Sequence, residues 1–241
     1  MIQSVTIRGI ELLAAKDKMT FVDFLMNQQA VKTGKLIAIN AEKLIISEQQ
    51  AEVNKLLENA EYKYADGISI VRAIKKKYPN IQEIERIAGA DLWEALMQKA
   101  GELAVPVFLV GSTAETLVKV QQKLTAWNVN IVGSQDGYFK AEDEDVLIER
   151  IRQSGAKFVS VAMGSPKQEL FMQKAQQAHP HCLYMGVGGT YDVFTGKVKR
   201  APKIWQDLGL EWLYRLLSQP TRWRRQLNLI RFAYYYYTKQ L

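Results

Sequence analysis

The chain has one cysteine, Cys182, and two histidines, His179 and His181, among 241 residues. A single thiol makes no internal disulfide, so the sequence fits a reducing compartment. No run of 18 apolar residues occurs, and no segment reads as a bilayer-spanning helix. The opening MIQSVTIRGIEL has no apolar h-region, so no signal peptide is expected. The expected location is the cytosol, or a membrane approached from its cytosolic side. Neither a G-x-G-x-x-G fingerprint nor a Walker lysine loop is present. That weighs against a dinucleotide oxidoreductase and against a P-loop nucleotidase.

Metal-ligand patterns are sparse too. His179-Pro180-His181-Cys182 holds ligand types but has no second cluster, and it sits at a strand entrance, so zinc is not expected. Asp143-Glu144-Asp145 spells the D-x-D of many metal-dependent sugar transferases. It falls at a helix start inside AEDEDV, where acids favour the helix dipole, so a solvated helix terminus is the expected reading.

What is present is a body of 48% hydrophobic residues and an ordinary 24% charged, enough for one large domain or a domain with an extension. Short apolar runs alternate with helical stretches. Strands are expected at VTIRGIEL, KLIAIN (35–40), YKYADG (62–67), 83–87, VPVFLVG (105–111), NVNIVGS (128–134), KFVSVAMG (157–164) and CLYMGVG (182–188). Helices are expected at 19–31, after Asn40 with a break near Ser47, from Ile68 to Pro79, from Asp91, and over 114–126, 142–153 and 166–178. This alternation predicts an α/β fold: a mostly parallel sheet flanked by helices, with a Rossmann-like core.

Parallel sheets bind ligands at the carboxyl ends of their strands. That rule singles out Asn40, Asp66-Gly67, Gly111-Ser112, Ser134 to Gly137, Gly164-Ser165 and Gly186 to Gly189. Asp66 has two readings, a general base or a helix cap. Gly164-Ser165-Pro166-Lys167-Gln168-Glu169 reads equally as a capping box, Ser165 with Gln168, and as an anion site at a helix N-terminus. Gly186-Val187-Gly188-Gly189 suits either close backbone approach to a ligand or a tight turn.

Charge is segregated. Residues 197–241 hold ten basic side chains against Asp207 and Glu211, while the rest holds 22 basic and 23 acidic ones. The whole net charge of +7 therefore belongs to this tail. The expected division is an α/β core over 1–196 and a basic, aromatic, helical appendage over 197–241. Nucleic acid, a membrane surface and a diphosphate are the candidate anions. Trp223, Leu227, Ile230, Tyr234 and Tyr237 recur at helical spacing, as on an interfacial amphipathic helix. Four adjacent tyrosines, Tyr234 to Tyr237, surround a helix and cannot all be buried.

NAEK (40–43), YADGIS (64–69), RIAGADL (86–92), FLVG (108–111), GSQDGYF (133–139), GSPKQE (164–169), GVGGTYDVFTG (186–196), KRAP (199–202) and GLEWLYRL (209–216) occur in one order. With Pro220, Arg222 and Arg225 after them, this ordered set resembles the WecG/TagA/CpsF glycosyltransferase family over about residues 35–225. The resemblance implies an inverting transfer without metal or other cofactor. In the form that the flanking sequence is most similar to, N-acetylmannosaminuronate passes from a UDP donor to undecaprenyl-diphosphate-linked N-acetylglucosamine, in enterobacterial common antigen synthesis. A related N-acetylmannosamine transfer is the alternative. Carried over by motif, Asp66 is the base, and Asn40, Arg86 and Gln168 line the donor pocket. Tyr138 and Asp192 lie near the uridine, and Arg215, Arg222 and Arg225 reach the diphosphate. Teichoic-acid members have Thr two residues before the Asn, where this chain has Ala38, so one hydroxyl contact to the sugar is missing. Arg86, Lys199 and Arg200 are candidates to read the uronate carboxylate. A nucleic-acid-binding protein using the tail is the rival from another class, but it leaves Asp66 and Gln168 without a purpose.

Overall fold

Arg8 and Gly9 both take left-handed backbone, φ 49° and 80°, and turn the N-terminus back on itself. The single strand expected at VTIRGIEL is therefore a hairpin, β1 (Ile2–Ile7) antiparallel to β2 (Ile10–Ala15). The computed structural model describes residues 2–218 and 223–241, excluding the side chains at 207, 215, 218 and 223–226. After the hairpin come α1 (Lys18–Leu25), β3 (Gly34–Ile39), α2 (Ala41–Gln49), α3 (Ala51–Glu58), β4 (Tyr62–Ala65), α4 (Ile68–Lys77) and α5 (Gly89–Glu102). They are followed by β5 (Val107–Gly111), α6 (Ala114–Leu124), β6 (Ile131–Gln135), α7 (Glu144–Gln153), β7 (Phe158–Ala162), α8 (Lys167–Ala178), β8 (Leu183–Gly186) and α9 (Thr190–Phe194). The C-terminal segment forms α10 (Lys203–Asp207), α11 (Glu211–Ser218) and α12 (Trp223–Tyr237).

The strands form one sheet in the order β1-β2-β4-β3-β8-β7-β5-β6. From β2 onward every pairing is parallel. The α/β class and the parallel sheet read from the sequence are thus present. Register aligns the strand ends: Ile39 with Ala65, Gly111 with Ala162, and Val161 with Gly186. All the strand-end loops consequently lie along one edge of the sheet. β3 to β4 steps toward the hairpin, whereas β5 to β6 steps toward the opposite edge, the reversal of order at which such sheets bind ligands.

Side chains alternate between two cores, one on each face of the sheet. Ile37, Ile39, Phe108, Val110, Val159, Val161 and Tyr184 pack under α2, α4, α7, α8 and α12. Leu36, Tyr64, Val107, Leu109, Leu183 and Met185 pack under α1, α5, α6 and α9. β5 and β7 are buried along their whole length, as expected of strands covered on both faces. α12 belongs to the first core through Phe232 and Tyr235, at 4% and 8% exposure. Burying each of those rings stabilises the docked helix by about 2 kcal/mol.

Three expectations are corrected here. Residues 83–87 form no strand. β4 already has β2 on one side and β3 on the other, so no edge remains for this segment to pair with. Its isoleucines, Ile84 and Ile87, pack into the cores instead, and Ile87 N–H reaches the Ala65 carbonyl. The helix expected over 19–31 stops at Leu25, because the Asn27 carboxamide accepts the N–H groups of Gln29 and Ala30 and closes a turn. The break after α2 falls at Gln50, whose extended φ of −130° separates α2 from α3, rather than at Ser47.

Gly111 ends β5 with φ +111°, and a Cβ there would collide with the Ala162 backbone of β7. Gly111→Ala is expected to lose about 3 kcal/mol or more, since left-handed strain and backbone overlap act together. Chemical denaturation measures the loss, and a wild-type midpoint would contradict it.

Candidate active site

At the end of β4, Asp66 is held from two directions. Its Oδ1 accepts the Gly89 N–H at 2.9 Å, where α5 begins, so the helix N-terminus faces the carboxylate. Its carbonyl accepts from Arg86 Nε at 2.7 Å. Asp66 Oδ2 has no hydrogen-bond partner among the described residues. Beside it, the Tyr64 ring is fully buried in the second core, and its hydroxyl is unpartnered among the described residues. Burial, reinforced by the Asp66 charge, holds that phenol well above its usual range.

Asn40 ends β3 and caps α2, its Oδ1 accepting Lys43 N–H at 2.8 Å. A Cβ on Gly67 would lie 3.5 Å from Asn40 Cβ, so the Asn40 and Asp66 loops touch. Across the sheet, Gln168 stands at the start of α8 and takes the Gly188 N–H on its Oε1 at 2.9 Å, which ties the β7 loop to the β8 loop. The capping box expected from Ser165 and Gln168 is absent. No side chain caps α8, because the Gln168 carboxamide is spent on Gly188 and Glu169.

Asn40, Asp66, Arg86 and Gln168 therefore gather where β4, β3 and β8 end. Asp192 and Tyr138 lie at the β5 and β6 end. Ser112 and Thr116 hydroxyls lie 3.4 Å from Asp192 Oδ1, and the Ser112 carbonyl accepts Gly137 N–H at 2.8 Å, next to Tyr138. Tyr138 itself is 78% exposed, the Asp136 carboxylate holding its N–H. A cavity of about 400 Å³ lies beside it, lined by Asp136, Tyr138, Lys140, Asp143 and Arg150 among others.

Contacts of Lys197, Arg200 and Glu211 carry the start of the C-terminal segment along the same edge. Lys197 reaches Asp192 at 3.5 Å, and Arg200 grips Asp91 of α5 with both terminal nitrogens, Nη2 to Oδ2 at 2.9 Å. The Arg200 hydrogen bonds hold the Asp91 carboxyl below the usual carboxylate range, against its partial burial. Glu211, at the start of α11, meets Arg86 Nη2 at 2.6 Å and is 7% exposed. Arg86 and Arg200 thus both spend charge on protein carboxylates, whereas Lys199 is exposed. Arg215 is on α11 and Arg225 on α12, but their side chains, and all of Arg222, lie outside the described residues. On α12 the face read from the sequence points outward: Leu227, Ile230, Tyr234 and Tyr237 are 56–78% exposed. The Trp223 side chain lies outside the described residues. No described helix is long and apolar enough to cross a membrane. Among the described residues no group of three His, Cys, Asp or Glu side chains is placed to hold a metal ion.

The sequence reading names Asp91 only as a helix start, Glu211 only as a tail acid, and Lys43 and Glu169 only within motifs, and it singles out none of the four as a site residue. Each is a partner of a singled-out residue or of its neighbour, and pairing across loops leaves no local spacing to find. Glu211 carried one signal: it is one of only two acids in a basic tail.

Removing Arg86 takes from the buried Glu211 carboxylate the guanidinium it meets at 2.6 Å, which loosens the hold on α11. Arg86→Met is expected to speed limited proteolysis within residues 197–218 on the order of 100-fold, from about 3 kcal/mol of lost pairing. Adding Glu211→Leu should restore much of the resistance. Equal proteolysis of wild type and Arg86→Met would show that the pair does not fasten α11.

The comparison with known families agrees with this geometry. The sequence model of the Glycosyl transferase WecG/TagA/CpsF family matches residues 5–241, nearly the whole chain. Because the match spans nearly the whole chain, this chain belongs to the WecG/TagA/CpsF family of glycosyltransferases, which implies a sugar donor and an acceptor.

Proposed function

We propose that the protein transfers N-acetyl-D-mannosaminuronate from its UDP derivative to undecaprenyl-diphosphate-linked N-acetylglucosamine, a step in making enterobacterial common antigen. The observation that carries this reading is the convergence of Asp66, Asn40, Arg86 and Gln168 on one strand-end edge in a chain of this family. The donor and acceptor identities rest on the sequence resemblance.

In this reading the acceptor hydroxyl attacks the anomeric carbon as UDP departs, and the configuration inverts. Asp66 takes the hydroxyl proton on the oxygen that Gly89 does not occupy. The departing diphosphate gains negative charge and needs fixed cations. Arg86 is already neutralised by Glu211, so its part is to brace the Asp66 loop. Arg215, Arg222 and Arg225 serve the diphosphate, since guanidinium suits bidentate phosphate contact. Tyr138 and Asp192 serve the nucleoside end. Residues 197–241 act as an appendage completing the site. The outward Leu227, Ile230, Tyr234 and Tyr237 face of α12 seats the enzyme on the cytosolic surface of the inner membrane, where the lipid acceptor resides.

Asp66→Asn keeps the shape of the carboxylate and removes its basicity. Transfer from UDP-N-acetylmannosaminuronate to a short-chain lipid-linked acceptor should fall at least ~100-fold in kcat. Full activity in this variant would remove Asp66 as the base. Truncation after Ser218 should abolish vesicle binding and transfer to a long-chain acceptor; a truncated protein with intact transfer would sink the role given to the tail.

A further inference from the structure

Beneath the strand-end edge lies a buried ion pair that no part of the proposed chemistry uses. Lys43, in the first turn of α2, places its Nζ 2.7 Å from Glu169 Oε1 of α8. The same oxygen accepts from Gln168 Nε2 at 3.1 Å. Glu169 is 2% exposed, and its Oε2 has no partner among the described residues. Burial pushes the Glu169 carboxyl up, but the Lys43 charge and the hydrogen bonds leave it below the usual carboxylate range, so it stays ionised. A buried pair of this kind is weak as a source of stability, because desolvation offsets most of the attraction.

What the pair does achieve is directional. An ionised carboxylate only accepts, so the Gln168 group facing it must be the NH₂. The Gln168 oxygen must then be the atom that takes the Gly188 N–H. The two contacts agree, and they forbid the flipped amide. The side chain also lies flat on β8: a Cβ on Gly186 would stand only 2.6 Å from Gln168 Nε2. One N–H of the carboxamide remains uncommitted, and it can only donate.

We propose that Glu169 and Lys43 are positioning residues, which hold Gln168 so that it meets the sugar-nucleotide donor as a hydrogen-bond donor. This rests on the reading of Gln168 as a donor-pocket residue. The recognised atom on the ligand is then an acceptor-only oxygen: a carboxylate, an acetamido carbonyl or a phosphate oxygen. A hydroxyl does not require this fixed polarity, because it offers both functions. Lys43 also supplies the N–H that the Asn40 side chain caps, so the β3 and β7 loops are set by one residue.

The test is a double-mutant cycle on kcat/KM with UDP-N-acetylmannosaminuronate, using Gln168→Ala, Glu169→Gln and the double variant. Each single change should lower kcat/KM on the order of 10- to 100-fold. The double variant should be no worse than Gln168→Ala, because Glu169 acts through Gln168. Multiplying losses, or a wild-type Glu169→Gln, overturns the proposal. A wild-type Gln168→Ala withdraws the donor-pocket role of Gln168 and the positioning role together, while Asp66→Asn still judges the reaction separately. If Glu169→Gln does not fold, Lys43→Met/Glu169→Gln removes both charges at once and takes its place in the cycle. A readout free of turnover is the Gln168 side-chain amide in nitrogen-resolved NMR, assigned by its loss in Gln168→Ala. Its protons should be resolved and slow to exchange in the wild type, and fast in the Glu169 variant. Identical exchange in the two proteins overturns the proposal.

Discussion

Arg86 joins three parts of the molecule that are far apart in the chain. Its Nε holds the Asp66 carbonyl and its Nη2 holds Glu211, 125 residues away, at the start of α11. A guanidinium suits this bridging because its donors point in fixed directions and its charge does not titrate. Both contacts are partly shielded from solvent, which makes them more costly to leave half-made than exposed ones. The loop carrying Asp66 and the helix carrying Arg215 therefore share one anchor. The Arg200–Asp91 contact repeats the arrangement in the first turn of α5, two residues after the Gly89 N–H that supports the Asp66 carboxylate.

The edge divides into two territories of different character. Where β4, β3 and β8 end, Gln168 is buried, Asn40 and Arg86 are half-buried, and each is held by partners: Gln168 by Gly188 and Glu169, Arg86 by Glu211, Asn40 by the α2 backbone. Where β5 and β6 end, Tyr138 is exposed and the Asp192 contacts are long, at 3.4–3.5 Å. Locked side chains suit reacting atoms, which tolerate little displacement. Looser ones suit a part of a ligand that is only held.

The parallel sheet was legible because a strand covered on both faces must be apolar throughout, as KLIAIN and VPVFLVG are. The positions of Asp66 and Asn40 at strand ends were legible because the apolar runs of β4 and β3 stop just before them, and of the two uses such residues have, Asn40 shows the capping one. The segment 83–87 misled because its isoleucines look like a strand, and only the sheet order shows that β4 has no free edge. Gln168 was legible as the start of a helix, and the capping-box reading offered for it fails. A capping box and an inter-loop tie have the same local spelling, and the difference lies in Gly188, twenty residues on. The exposed face of α12 followed from its period, while the opposite face, Phe232 and Tyr235, gave no hint of which helix it would cover.

That helix is α2, and its length has a mechanical consequence. Nine residues of α-helix span about 13 Å. One end of this rod carries Asn40 and Lys43 to the strand-end edge. The other end carries Glu48, which the Tyr235 hydroxyl meets at 3.1 Å and Arg231 at 3.8 Å. No loop intervenes between the two. A push or pull on α12 therefore reaches Asn40 as a translation of a stiff strut, and the rod sets a constant stand-off between the outward aromatic face and the carboxamide at its far end.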